Sequence, residues 1–190
     1  MKTFGIALKI FLVLTILTGV IYPLLVTGIA QVIFPHQANG SLILKDNRII
    51  GSELIGQQSD SIIYFTSRPS AIGNNPLPSG GSNYGLTSKK LKDQFTERKN
   101  KFIKFNQLEQ NAEVPSEMLF ASASGLDPHI SPEAAQLQIN RIATARHFST
   151  VQKEKLKTLV EKTIEAPQLA CLGESRVNVL LLNIALDKLK

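Results

Sequence analysis

The stretch Ile10–Ala30, IFLVLTILTGVIYPLLVTGIA, decides the architecture of this chain. Thirteen of its 21 residues are Leu, Ile, Val or Phe, and no charged residue occurs between Lys9 and Lys45. A helix of this length spans about 30 Å, the thickness of the hydrocarbon core of a bilayer. We therefore predict a transmembrane helix over about residues 10–34, within an N-terminal segment of residues 1–35.

A cleaved signal peptide is the alternative interpretation of this stretch. Lys2 and Lys9 would form its basic region, and Gly28-Ile29-Ala30 is an acceptable cleavage site. The apolar run is longer than the roughly 7–15 residues typical of a signal peptide, which favours an uncleaved anchor. In both cases the rest of the chain is expected outside the cytoplasm.

One row of the predicted helix carries small or helix-bending residues at every fourth position: Thr15, Gly19, Pro23 and Thr27. Residues four apart share a helix face, and small residues let a second helix approach closely. Pro23 has no N–H to bond the carbonyl of Gly19, so a kink is expected there. We predict that this face packs on a partner helix; the alternative is scattered Gly and Pro, which membrane helices tolerate.

Composition narrows the functions open to the chain. The formal net charge is +6, and without the two lysines before the apolar stretch 19 basic and 15 acidic residues leave +4. This mild excess does not call for a nucleic-acid partner. The single cysteine, Cys171, permits no intrachain disulfide, and its apolar neighbours predict a small buried side chain. The histidines (His36, His129 and His147) lack metal-ligand spacing, so no metal site is expected.

Residues 36–190 are predicted to form a single α+β domain of mixed helices and strands. A hairpin is expected over Ser41–Gly56, with its turn at Lys45–Asn47, and Ser61–Thr66 (SIIYFT) is a further strand candidate. Four glycines, two prolines and three asparagines in residues 72–85 indicate a long loop. Strands first and helices afterwards favour the α+β class.

Amphipathic patterns predict four helices in the rest of the domain. They cover Ser88–Phe105, Ser131–Arg146, a stretch from Ser149 that ends before Pro167, and Leu182–Leu189. Gln152 has the spacing of a capping box with the serine that begins the third helix. Val177 and Val179 indicate a short strand. The first helix carries seven basic residues, which we interpret as a solvated face.

The segment GSELIGQQ, residues 51–58, approaches the phosphate-binding pattern GxxxxGK[ST]. Gln57 and Gln58 stand where that pattern needs a lysine for the phosphates and a hydroxyl for Mg²⁺. We therefore interpret Gly51 and Gly56 as residues that bound strand ends, and not as a nucleotide site.

The segment ASASGLDPHISPEAA, residues 121–135, contains the residue types of a serine hydrolase. Ser122 or Ser124 could act as a nucleophile with His129, which makes a membrane-anchored extracytoplasmic serine hydrolase the alternative function. However, the GxSxG nucleophile elbow is incomplete, and residues so close in the chain do not easily converge as a triad.

A helix start explains more of this segment than catalysis does. Ser131 is a preferred N-cap, and Pro132 suits the first helical position that follows it. We therefore predict a loop and a helix cap here. Asp127 and His129, if exposed, are candidates for contact with a partner subunit.

A resemblance covers most of the chain in order. The stretches that carry it are YPLLVTGIAQVIFPHQANGSLI at Tyr22–Ile43, GSELIGQ at Gly51–Gln57, YFTSRPSA at Tyr64–Ala71, SGGSN at Ser79–Asn83, ASASGLDPHISPEAA at Ala121–Ala135, and VNVLLLNIALDKL at Val177–Leu189. Together they resemble the C subunit of the Kdp potassium-transporting ATPase.

The resemblance implies a single-pass protein of the bacterial plasma membrane, with its N-terminus in the cytoplasm and its domain outside. It also implies a non-catalytic accessory subunit of a high-affinity, ATP-driven potassium uptake complex. The expected partners are a channel-like potassium-translocating subunit, an ATP-hydrolysing P-type subunit and a small peptide subunit.

The phosphorylated aspartate is expected on the ATP-hydrolysing subunit, in agreement with the absence of a DKTGT motif from this sequence. A catalytic-chaperone role that raises the affinity for ATP is attributed to the family. ATP is therefore a family attribution only, with no residue of this chain assigned to it, and no other cofactor is expected.

Overall fold

The computed structural model describes residues 2–45 and 47–189. The chain forms two compact units, Met1–Ser52 and Glu53–Lys190. The first contains a long apolar helix and a hairpin, and the second is a mixed domain of helices and short strands. The α+β class predicted from the sequence is confirmed.

The long helix of the first unit has three consecutive parts: α1 (Lys2–Ile16), a π-helical turn (Leu17–Ile21) and α2 (Tyr22–Ile33). Together they form a helix of 32 residues that is long and apolar enough to cross a membrane. None of its described residues is buried. A short helix, α3 (Pro35–Ala38), follows it.

The π-helical turn lies just before Pro23. Its last hydrogen bond runs from the N–H of Tyr22 to the carbonyl of Leu17, one residue further back than in an α-helix. Thr18 Oγ1 also donates to the carbonyl of Leu14 at 2.7 Å. The departure from a regular helix expected at Gly19–Pro23 therefore takes the form of a π turn.

The predicted hairpin is confirmed in the first unit. β1 (Leu42–Lys45) pairs antiparallel with β2 (Arg48–Ser52), and the register shifts between Ile43 and Leu44. The middle residue of the predicted turn, Asp46, lies outside the described residues.

The second unit combines four helices with a small antiparallel sheet. The helices are α4 (Lys89–Asn106), α5 (Pro132–Ala145), α6 (Thr150–Lys162) and α7 (Val179–Asp187). The strands are β3 (His129–Ile130), β4 (Ile164–Glu165) and β5 (Arg176–Asn178), in the spatial order β3-β5-β4. A single 3₁₀ turn, Ser116–Met118, lies between α4 and β3 among the residues described.

A single apolar core joins these elements. Its most deeply buried apolar side chains, all at most 2% exposed, are Phe65, Ile103, Ile130, Ala134, Ala135, Ile142, Leu156, Val160, Val177, Leu182 and Leu186. Burial of a large aliphatic or aromatic side chain contributes about 1.5–3 kcal/mol, so the large side chains among these residues each stabilise the domain by about that amount.

Side-chain caps set the starts of the helices. Ser131 accepts a hydrogen bond from the N–H of Ala134 and begins α5, and Ser149 forms a capping box with Gln152 at the start of α6. Both predictions are confirmed. Asn178 caps α7, which begins at Val179. The strand predicted at Val177 is confirmed in β5, whereas Val179 is helical where a strand was predicted.

The prediction of a strand at Ser61–Thr66 is wrong. These residues form no strand because their backbone groups are bonded by side chains of the helices instead of a neighbouring strand. Asn183 accepts from the N–H of Phe65 at 2.8 Å and donates to its carbonyl at 2.9 Å. The amide oxygen of Gln138 accepts from the N–H of Thr66 at 2.8 Å.

Arg141 completes the anchoring of this segment from inside the core. Its guanidinium donates to the carbonyls of Ile62 and Tyr64 and to the side chain of Asn106, and it lies 4.5 Å from the ring centre of Phe105. Only 2% of Arg141 is exposed. Burial lowers the pKa of its guanidinium to about 10, which leaves it charged at neutral pH.

The prediction that Cys171 is buried is also wrong, because its side chain is exposed. Cys171 lies in a tight turn closed by pairing between Gln168 and Leu172. Leu169 and Ala170 both have left-handed φ angles in this turn, 52° and 60°. Apolar neighbours in the chain therefore do not surround the thiol in space.

Candidate functional site: the loop junction around Asp127

Three segments of the second unit meet at one loop, residues 121–128, which leads into β3. Backbone hydrogen bonds join Gly56 N–H to Leu126 O (2.7 Å), Ser122 N–H to Pro69 O (3.0 Å) and Gly80 N–H to Ser124 O (3.1 Å). We call this meeting place the loop junction. The third bond comes from residues 72–85, which form no helix or strand, as predicted.

Asp127 is the charged centre of the loop junction. Its carboxylate accepts from Arg68 Nη1 at 2.8 Å and from the backbone N–H of His129 at 3.0 Å, and His129 Nδ1 lies 3.4 Å from it. Its side chain is 29% exposed, whereas Arg68 and His129 are each 23% exposed. Burial alone would raise the pKa of this carboxyl, but the hydrogen bonds from His129 and Arg68 prevail and lower it to about 2.

Two glycines let the loop junction close. A Cβ on Gly56 would lie 2.5 Å from the carbonyl oxygen of Asp127, and one on Gly125 would lie 2.5 Å from a side-chain carbon of Ile72. Gly125 also has a φ of +71°, which side chains disfavour. The prediction that Gly56 bounds a strand is therefore wrong. Gly56 instead permits close contact between two loops. Gly51 is the penultimate residue of β2.

The serine hydrolase interpretation finds no support in this geometry. The Oγ of Ser124 accepts from the N–H of Leu126, and Ser122 is 3% exposed with an Oγ that has no partner in the part of the chain described. His129 contacts Asp127, and no hydrogen bond joins it to either serine within residues 2–45 and 47–189. A nucleophile and its base are therefore not brought together.

A cleft of about 520 Å³ lies beside the loop junction, between α4 and the loop that carries Arg68. Phe102, Phe105 and Met118 line one part of it, and Arg98 and Lys101 lie on the α4 side. Arg98 donates to the carbonyl of Leu119 at 3.0 Å. The described residues contain no cluster of three or more His, Cys, Asp or Glu side chains that could hold a metal ion.

The predicted partner face of the long helix is open along the described chain. Thr15, Gly19, Pro23 and Thr27 are all exposed, and a Cβ on Gly19 would meet no other atom within 4 Å. Contact of this face with a second helix remains a prediction. The same holds for contact of Asp127 and His129 with a partner subunit.

The predicted site residues did not include Arg68. They also did not include Asn183, Gln138 and Arg141, the helix residues that bond the segment Ser61–Thr66. Arg68 pairs with a carboxylate 59 residues away, and Asn183 bonds a residue 118 positions away. Neither the periodicity of the chain nor a short motif carries such a signal. The nearest indication is the Arg-Pro pair in a segment without a helical pattern, since Pro restricts the residue before it to extended backbone.

The described residues form one helix able to cross a membrane and an α+β domain. In this domain, backbone hydrogen bonds join the loops at the loop junction. Residues 4–188 match the family described as KdpC, the K⁺-transporting ATPase, c chain. The chain therefore belongs to the KdpC family of potassium-transporting ATPase subunits.

Relatives from several bacteria are similar over nearly their whole length. A potassium-transporting ATPase KdpC subunit of Polaromonas naphthalenivorans is 49% identical, with 97% of this chain and 93% of the relative covered. The KdpC subunit of Geotalea uraniireducens is 47% identical over 100% of this chain and 99% of the relative. That of Photorhabdus laumondii is 46% identical, with 97% and 94% covered.

Proposed function

We propose that this chain is a non-catalytic accessory subunit of a high-affinity, ATP-driven potassium uptake complex. The observation that carries the proposal is the family match over residues 4–188. The unassembled Ser–His pair at the loop junction supports it further. In this proposal the aspartate that is phosphorylated belongs to the ATP-hydrolysing subunit, and this chain stabilises the assembly and assists that subunit.

The test compares the complex purified with and without this chain. Removal is expected to reduce both assembly of the remaining subunits and potassium-stimulated ATPase activity. Unchanged assembly and unchanged activity would contradict the proposal. The double variant Ser122→Ala/Ser124→Ala, which leaves His129 in place, addresses the hydrolase alternative, because retained potassium uptake in that variant excludes a hydrolytic role of these serines.

We further propose that the face of Thr15, Gly19, Pro23 and Thr27 packs on a helix of the potassium-translocating subunit. Gly19 has free space around it within its own chain, so Gly19→Leu leaves the helix intact but blocks close approach. The variant is expected to copurify less of the partner subunits. Gly28→Leu is the matched control, since Gly28 also has free space but lies outside the row.

The proposed orientation places the N-terminus in the cytoplasm and the domain outside. The exposed thiol of Cys171 offers a native probe of this topology. A membrane-impermeant maleimide is expected to label intact cells that express the wild-type chain, and not those that express Cys171→Ser. Labelling only after the cells are lysed would place the domain inside.

The same measurement bears on the chaperone role attributed to the family. A domain outside the cell does not meet cytoplasmic ATP, so labelling of intact cells would limit this chain to indirect help with ATP binding by the catalytic subunit. Labelling only after lysis would leave direct contact with the nucleotide open.

We also propose that His129 contributes to the contact with a partner subunit outside the membrane. It lies at the rim of the loop junction, 23% exposed and held beside Asp127. His129→Gln is expected to weaken copurification of the partner subunits while the isolated chain unfolds at nearly the same temperature. His147→Gln serves as the control, because His147 is an exposed histidine outside the loop junction.

A further inference from the structure

The net positive charge of the second unit comes from one helix. α4 carries seven basic and two acidic residues, a net charge of +5. The rest of residues 53–190 carries 10 basic and 12 acidic residues, a net charge of −2. A distribution of this kind creates a positive surface on an otherwise nearly neutral domain.

Five of the six lysines of α4 are exposed, and none of the five forms an ion pair with another residue that the structure describes. Its exposed lysines are Lys89, Lys90, Lys92, Lys101 and Lys104, which we call the lysine face. Their only described close partner is the ring of Tyr84, 5.2 Å from Lys90 Nζ. Two exposed carboxylates, Asp93 and Glu97, share this face, and neither forms an ion pair among the described residues. Five positive charges therefore remain against two negative ones.

The apolar side of α4 is already occupied. Phe102 and Ile103 are 7% and 2% exposed within the domain, so the helix has no free apolar stripe to insert into a bilayer or a hydrophobic groove. A partner for the lysine face must therefore be attracted by charge. A lysine ammonium is a mobile point charge on a flexible side chain, which suits a diffuse anionic surface. A fixed carboxylate is better bound by the planar guanidinium of an arginine.

Going beyond the proposed function, we propose that the lysine face of α4 binds the anionic phospholipid headgroups of the membrane in which the same chain is anchored. The long helix tethers the domain to that membrane, so the local concentration of headgroups is high without any further partner. Clustered lysines near an anionic membrane surface are attracted to it, and salt weakens the attraction.

Residue-resolved labelling of lysines in nanodiscs tests this proposal. The isolated full-length chain is placed in discs of phosphatidylcholine alone or of phosphatidylcholine with 30 mol% phosphatidylglycerol (roughly the anionic fraction needed for a strong surface potential). An amine-reactive reagent is applied briefly, and mass spectrometry gives the rate of modification at each lysine. Lys153 and Lys157 on α6 are the internal controls.

We expect the lysine face to react about threefold or more slowly in the anionic discs at low salt, and 0.5 M NaCl (a Debye length of roughly 4 Å) to abolish the difference. The control lysines should react equally in both discs. Equal rates for the lysine face in both discs would overturn the proposal. So would protection that occurs only in the assembled complex and does not depend on lipid charge, because a partner subunit would then be the occupant.

A second measurement uses variants with the same loss of charge. A fluorophore attached to Cys171 transfers energy to acceptor-labelled lipids in the anionic discs. The triple variant Lys89→Gln/Lys92→Gln/Lys104→Gln is expected to change the efficiency of this transfer. Lys153→Gln/Lys157→Gln/Lys162→Gln on α6 should leave it unchanged. Equal effects of the two triple variants would contradict a specific role for α4. The nanodisc measurements on the isolated chain contain no other subunit, so their failure would leave the proposed accessory role untouched.

Discussion

At the scale of single residues, the domain depends on polar side chains that serve the backbone of distant loops. Asp127 holds Arg68 and the loop that contains His129, and Arg141 holds the carbonyls of Ile62 and Tyr64. Such groups contribute little while both partners are present, but loss of one partner leaves the other buried and unpaired, which costs about 1–3 kcal/mol. These residues should therefore be sensitive to substitutions that barely change their size.

The charge of Asp127 makes stability depend on pH. The pKa of its carboxyl falls from the ordinary value of 3.8 to about 2 in the folded chain, so ionised Asp127 stabilises the fold by about 2 kcal/mol above pH 4. This contribution is lost as the pH falls from about 4 towards 2. Asp127→Asn should lower the free energy of unfolding at pH 7 by about this amount, as measured by chemical denaturation of the full chain in detergent.

The difference between the wild type and Asp127→Asn should shrink as the pH approaches 2. Asp93→Asn, at an exposed carboxylate on α4, is the control and should change stability by less than about 0.5 kcal/mol. A constant difference between wild type and Asp127→Asn over this pH range would show that ionisation of Asp127 is not the cause.

Arg141 is expected to resist even a conservative change. Arg141→Lys keeps the charge but cannot reach all the carbonyls that the guanidinium bonds, so it should destabilise the domain by about 2 kcal/mol or more. Arg176→Lys provides a control at an exposed ion pair, where about 0–1 kcal/mol is expected. Similar losses for the two variants, measured by thermal unfolding, would contradict the role given to Arg141.

At the scale of secondary-structure elements, local signals predict the helices and the hairpin, but not the bonding of the extended segment Ser61–Thr66. Ser131 and Ser149 both cap helices because a cap requires only a side-chain oxygen and an N–H three residues away. The apolar, β-branched letters of Ser61–Thr66 are typical of a strand, but a strand also needs a neighbour to bond it, and helix side chains take that place here. The chain therefore encodes caps locally, whereas the bonding of an extended segment depends on the whole fold.

Asn178 tests the importance of a cap that joins two elements. Its side chain accepts from the N–H groups of Leu180 and Leu181 at the start of α7 and donates to the carbonyl of Glu53 at 2.8 Å. Asn178→Ala removes the cap and leaves that carbonyl without the bond, so a loss of about 2 kcal/mol is expected in the free energy of unfolding. Asn178→Asp should recover the cap but not the bond to Glu53, so its stability should fall between those of the wild type and Asn178→Ala.

At the scale of the whole molecule, the core of the second unit is built from residues of that unit. The core residues and the side-chain bonds of the loop junction all come from residues 53–190. The pairing of Arg68 with Asp127 could not be predicted, because nothing local marks which of 15 carboxylate residues a loop arginine will meet. By contrast, the long helix could be predicted from composition alone, since a bilayer imposes its length and polarity on one continuous stretch.

We expect residues 53–190, produced without the first unit, to fold independently. Far-UV circular dichroism should show the helices of the second unit, and thermal unfolding should follow one cooperative transition. The same fragment with Leu182→Ala should lose about 2–5 kcal/mol, since Leu182 is completely buried. A fragment with helical signal but no cooperative transition would show that the first unit is needed for a specific core.

The order in which the chain is synthesised gives the bonding of Phe65 a further consequence. Synthesis runs from the N-terminus, so Phe65 is complete 118 residues before Asn183, which supplies both bonds to its backbone. The N–H and carbonyl of Phe65 therefore lack these two bonds until Asn183 has been synthesised, although Gln138 and Arg141 on α5, which bond its neighbours, are synthesised earlier. The backbone of Phe65 is therefore the last part of this segment that can be bonded during synthesis, after the backbones of Tyr64 and Thr66.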